Sequence, residues 1–98
     1  MITIILESKT ADRIAKVSQL NNEVYLLQNK SDYKILSELS TVDYDAFARE
    51  DMKQLIIELE MLKEDLYDEK DLHHINEIIE LADKCISIPD SYLIFTPF

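Results

Sequence analysis

Glycine is absent from this 98-residue chain. An average composition would supply about seven. Glycine is the default residue where the backbone must take a positive φ or lie close against a ligand. Phosphate-cradling loops, dinucleotide fingerprints and the nucleophile elbow all depend on it. The standard forms of those sites are therefore excluded. Cysteine is nearly absent as well. Cys85 is the only one, so no internal disulfide can form, which fits a reducing compartment. No long apolar run exists. Met1–Leu6 is apolar but spans six residues with no basic flank, too short for a signal-peptide core or a membrane span. A cytoplasmic protein is expected.

Basic residues are also scarce, 10 against 20 acidic ones, for a net charge of −10. The imbalance is local. Residues 1–42 carry five acids and five bases, whereas residues 43–98 carry fifteen acids and five bases. A surface of that sign repels phosphate backbones, so direct nucleic-acid binding is not expected. Charge complementarity favours a basic partner. A hydrophobic content of 47% and a mean hydropathy of −0.13 are those of a folded chain, and the length fits one domain over residues 1–98.

The hydrophobic spacing predicts a mainly α protein. Met52, Leu55, Ile56, Leu59, Leu62 and Leu66 recur at steps of three and four, predicting an amphipathic helix over about 48–67. Glu50 and Asp51 fall in its first turn, where the helix dipole favours carboxylates. Ile57 and Met61 lie beside the stripe. They either widen the buried face or leave a strip for a partner. Leu72, Ile75, Ile79, Ala82 and Ile86, with Ile78 and Leu81 alongside, predict a second helix over about 69–87, stopped by Pro89. The short polar link Tyr67–Asp71 makes the two an antiparallel αα-hairpin. Ile14, Val17 and Leu20 predict a further helix over about 10–20. Glu23–Leu27 allows either helix or strand, and Ser40–Asp45 reads as a link. Met1–Leu6 suits a short strand, and the apolar tail Ser91–Phe98 suits an edge strand or extended arm beside it.

The chemistry-bearing residues form few constellations. His73 and His74 are adjacent and project about 100° apart on a helix, so the pair reads as a solvated face. His73 with Glu77 offers at most a weak two-ligand metal site. The histidines lie 11 and 12 residues before Cys85 on one helix, roughly 17 Å away, too far to activate the thiol. Cys85 reads as core. The acidic run Glu58, Glu60, Glu64, Asp65, Asp68, Glu69 and Asp71 lacks the glycine and the alternation of an EF-hand loop. It reads as a solvated face or a docking surface for a basic partner. Tyr44 and Tyr67, each flanked by acids, are candidate anchors for a partner's arginine or lysine.

Asp43-Tyr44-Asp45-Ala46-Phe47, then Ile75–Cys85, then Ser91-Tyr92-Leu93-Ile94-Phe95-Thr96-Pro97-Phe98 give a pattern over about residues 40–98. It resembles a group of small acidic bacterial proteins, some of them similar to immunity proteins of toxin–immunity pairs. That resemblance and the charge distribution lead to one expectation. The chain is a non-enzymatic inhibitor of the immunity or antitoxin type, and its acidic face neutralises a basic protein toxin such as a nuclease. The expected contact residues are Glu60, Glu64, Asp65, Asp68, Glu69 and Asp71, with Tyr44 and Tyr67. No cofactor or metal is expected. The alternative is a homo-oligomeric domain, a dimer for example, joined through the Ile57/Met61 strip and the apolar tail.

Overall fold

A computed structural model describes every residue, Met1–Phe98, and shows an α+β protein rather than a mainly α one. Its frame is a four-stranded antiparallel sheet of β1 (Ile2–Glu7), β2 (Arg13–Gln19), β3 (Asp45–Phe47) and β4 (Tyr92–Thr96), in the order β2-β1-β4-β3. Three helices complete it: a single turn α1 (Glu23–Leu26), α2 (Met52–Lys63) and α3 (Glu69–Ser87). Short 3-10 turns occupy Leu36–Glu38 and Arg49–Asp51.

The helical hairpin expected from the spacing is therefore corrected to one layer of a two-layer fold. α3 lies across one face of the sheet, against β1, β2 and β4, and α2 packs beside it. The N-terminal end of α2 lies next to the C-terminal end of α3, where Lys53 and Ile57 share a depression with Asp83 and Ile86. At the other end Lys63 Nζ donates to Asn76 Oδ1 at 3.0 Å. The two helices thus run antiparallel.

The expected helix over residues 10–20 is a strand. Its residues pair with β1 from Ile2↔Gln19 to Leu6↔Ala15, with a bulge before Glu7↔Arg13. Two features defeat the helix. Ala11 takes φ 64°, a left-handed value that cannot lie inside a right-handed helix and instead closes the Ser8–Asp12 turn between β1 and β2. Ala15, Val17 and Gln19 alternate with exposed Lys16 and Ser18, a period of two that the apolar count at steps of three concealed. Leu20, the third residue of the supposed stripe, is 76% exposed. The chain without glycine still needs left-handed backbone, and places Ala11, Asn21 and Asp90 there.

The apolar tail is not an edge. β4 pairs with β1 on one side, Leu6↔Leu93 to Thr3↔Thr96, and with β3 on the other, Phe47↔Leu93 to Asp45↔Phe95. The Ser40–Asp45 link leads into β3, a strand the sequence reading does not contain. Core and open faces follow from the pleat. Ile2, Ile4, Leu6, Leu93, Phe95 and Phe47 face the helices and join Leu55, Leu59, Leu62, Ile75, Ile78, Leu81 and Cys85 in one buried cluster. Phe47 and Phe95 meet edge to face with ring centroids 5.8 Å apart. The buried Cys85 lies beside Ser91, as a small core residue does.

Candidate functional site

The acidic residues gather at one end of the helical layer. α2 ends at Lys63, and Glu64, Asp65 and Leu66 continue for one more turn, their amides donating to Met61, Leu62 and Lys63 carbonyls. Leu66 is half-buried and pins this turn to the core. Asp68 then leaves the helical region at φ −79°, ψ 128°, and its carboxylate accepts from Lys70 N at 2.8 Å. It is a proper N-cap. Glu69 and Asp71 fall in the first turn of α3, where the positive end of the helix dipole favours them. Residues 64–71 so place five carboxylates and one lysine around a single helix-to-helix corner.

The chain leaves these carboxylates without cationic partners of its own. The ion pairs in the structure are the Met1 amino group with Glu23 at 2.6 Å, Lys63 with Glu60 at 3.4 Å, and His74 with Glu77 at 3.7 Å. Of the expected contact residues only Glu60 is paired. Glu64, Asp65, Asp68, Glu69 and Asp71 are not. Their field reaches two tyrosines instead. Burial first, then the charges of Asp71 and Asp68, push the Tyr25 phenol above its ordinary range, and its hydroxyl donates to Gln19 Oε1. Burial and then Asp65, Asp32, Glu58 and Glu64 raise Tyr33 in the same direction.

Tyr67 stands at the centre of the corner and is 91% exposed. Tyr44 does not belong with it. It precedes β3, an edge strand of the sheet, and is 59% exposed there. The expected set is thus divided between the corner, which holds Glu64, Asp65, Tyr67, Asp68, Glu69 and Asp71, the adjoining last turn of α2, which holds Glu60, and the edge strand.

Two readings of polar residues are corrected. Glu58 is not part of a solvated face. It is fully buried, and its carboxylate accepts from Ile35 N at 3.0 Å, Leu36 N at 2.9 Å and Gln54 Nε2 at 2.8 Å. It anchors the Tyr33–Leu39 segment to α2. His74 is not solvated either. It is 2% exposed, while His73 beside it is exposed. The spacing contained both facts. Glu58 falls three residues after Leu55 and four before Leu62, and His74 falls four before Ile78, so each lies on its helix's buried stripe.

An open depression of about 340 Å³ separates the start of α3 from the end of β2, lined by Ser18, Gln19, Glu69, Lys70, His73, His74 and Glu77. His73 and Glu77 share it, but no group of three or more His, Cys, Asp or Glu side chains is arranged to hold a metal ion. No helix is long and apolar enough to cross a membrane. No protein-family model matches the chain, and neither a curated protein nor a solved structure is significantly similar to it.

Proposed function

We propose that the protein is a cytoplasmic binding module whose acidic corner grips a basic protein, an inhibitor of the immunity type. One observation carries the reading. Five carboxylates around an almost fully exposed Tyr67 form no ion pair with a lysine or arginine of their own chain, and the one lysine among them, Lys70, leaves the corner strongly negative. Holding like charges together in this way weakens the fold through mutual repulsion. The arrangement is favourable once a cationic surface is set against it. Tyr67 offers such a partner a flat face for an arginine or lysine. Carboxylates set on a capped corner also stand in for the phosphates a nuclease would bind.

The test is comparative capture from a native lysate of the source cells, with wild type and the double variant Asp65→Lys/Asp68→Lys as baits. Wild type is expected to retain a protein of high isoelectric point at low salt, and the variant to lose it. Equal retention by both would remove the corner from the interface. The melting temperature of the variant should fall by several degrees, because Asp68 caps α3 and losing a cap costs about 1 kcal/mol, so capture is compared at a temperature where both baits are folded.

A second reading rests on a different observation. The outer sheet face carries the cross-strand row Lys16–Ile5–Ile94–Ala46, and neither Ile5 nor Ile94 joins the core cluster. The charged residues paired across that face, Arg13, Lys16 and Glu7, are balanced towards positive in a strongly acidic molecule. Two copies would repel each other least there. On this reading sedimentation at tens of micromolar shows a dimer that Ile94→Glu dissociates. A wild-type monomer at that concentration excludes it.

A further inference from the structure

The polar cluster at the start of the sheet is independent of the acidic corner's proposed partner. Asn22 is fully buried at the end of the β2–α1 turn. Its side chain holds both backbone groups of Ile2: Oδ1 accepts from Ile2 N at 2.7 Å, and Nδ2 donates to Ile2 O at 2.7 Å. This double contact fixes which end of the amide is which, since reversing it would set donor against donor and acceptor against acceptor. The second hydrogen on Nδ2 then points at His74 Nε2, 3.0 Å away on α3. A nitrogen that accepts cannot carry a proton. His74 is therefore held as the neutral tautomer with its hydrogen on Nδ1, which stands 3.7 Å from Glu77 Oε1, beyond hydrogen-bond length.

We propose that His74, Asn22 and Ile2 form an acid-sensitive latch, in which a proton on His74 Nε2 breaks the contact with Asn22 and frees the N-terminal end of the sheet from α3. Asn22 cannot rotate to receive the new proton without giving up Ile2. The latch consequently has two states, closed with neutral imidazole and open with imidazolium.

The charged surroundings are mixed. On α3, Asp71 and Glu77 favour the imidazolium and His73 opposes it, and Glu69 and Lys70 line the same depression. β2 contributes the uncharged Ser18 and Gln19. The Met1 amino group just before β1 and Glu23 on α1 are paired with each other, and Tyr25 on α1 donates its hydroxyl to Gln19. Burial outweighs the rest and holds His74 below its ordinary value. The sign follows. The open or unfolded chain binds the proton more tightly, so the latch is secure above about pH 6.5 and weakens as pH falls below it.

The test is hydrogen exchange of the Ile2 amide, read as a protection factor at pH 7.5 and pH 5.0, together with nitrogen NMR of the imidazoles. Protection is expected to fall about tenfold between pH 7.5 and pH 5.0. At pH 7.5 the His74 Nε2 signal should be that of an unprotonated nitrogen. His73→Gln should keep the fall, and His74→Phe should abolish it. Asn22→Asp puts a carboxylate opposite Nε2, so His74 should titrate higher than in wild type, while Ile2 protection should be lower at both pH values because the carboxylate cannot donate to Ile2 O. Constant Ile2 protection in wild type, a protonated Nε2 at pH 7.5, or an undiminished fall in His74→Phe would each overturn the proposal. The wild-type measurements decide it even if a variant fails to fold.

Discussion

Replacing Glu58 with alanine is expected to cost about 2–5 kcal/mol, a large share of the roughly 5–15 kcal/mol that holds a domain of this kind together. The carboxylate is fully buried and receives Ile35 N, Leu36 N and Gln54 Nε2. Removing it strands two buried amides, each at a penalty of about 1–3 kcal/mol. It also leaves space beside Leu55, Leu59 and Leu62. Glu58→Gln keeps the volume and one acceptor oxygen. That oxygen can serve both amides, as Oε1 does now, so the loss should be about 1–2 kcal/mol. Glu58→Leu fills the space but satisfies neither amide, and should behave like alanine. Denaturant unfolding of the three variants reads these differences directly. A Glu58→Ala variant within 1 kcal/mol or so of wild type would mean a carboxylate facing solvent, as a plain count of acids suggests.

Phe95→Ala should be as damaging, at about 3–5 kcal/mol, and removal of Ser91–Phe98 should abolish the fold. Phe95 is 2% exposed, sits opposite Ile4 on one neighbouring strand and Asp45 on the other, and meets Phe47 edge to face. Its strand is the only link between β1 and β3. Without β4 the sheet has no continuous inner face, and α3 loses the strands it covers. A helical hairpin with a dispensable arm would respond differently. Truncation would leave its circular dichroism helical and its melting cooperative. Loss of the cooperative transition on truncation, with Phe95→Leu retaining most stability, is the outcome the sheet requires.

The two long helices were legible because their signal is local. Met52–Lys63 and Glu69–Ser87 carry apolar residues at steps of three and four, and Asp68 and Pro89 punctuate the second. The sheet was not. Residues 13–19 pair with β1 across the short Ser8–Asp12 turn, which carries no glycine to mark a hairpin, and they cover the start of α3, which lies about fifty residues further along the chain. The three-residue β3 is too short to carry a period at all. It forms because the interior strand β4 offers it an edge.

The acidic corner was legible for the same reason as the helices. Its carboxylates are close in sequence, and a tight turn keeps them close in space. Tyr44 shared their composition but not their element. Its separation from Tyr67 needed the strand order. Asn22 and His74 are 52 residues apart and meet only through the fold. The double contact of Asn22 with Ile2 had no signature beyond a turn residue before a short apolar helix.

The most direct measurement is the association rate of the captured basic partner with wild type and with Asp65→Lys/Asp68→Lys, each across a range of salt. The acidic corner predicts a wild-type rate that falls steeply with ionic strength, a variant rate about tenfold lower at low salt, and convergence of the two at high salt. Identical rates with identical salt slopes would contradict it, and would place the contact surface elsewhere on the molecule.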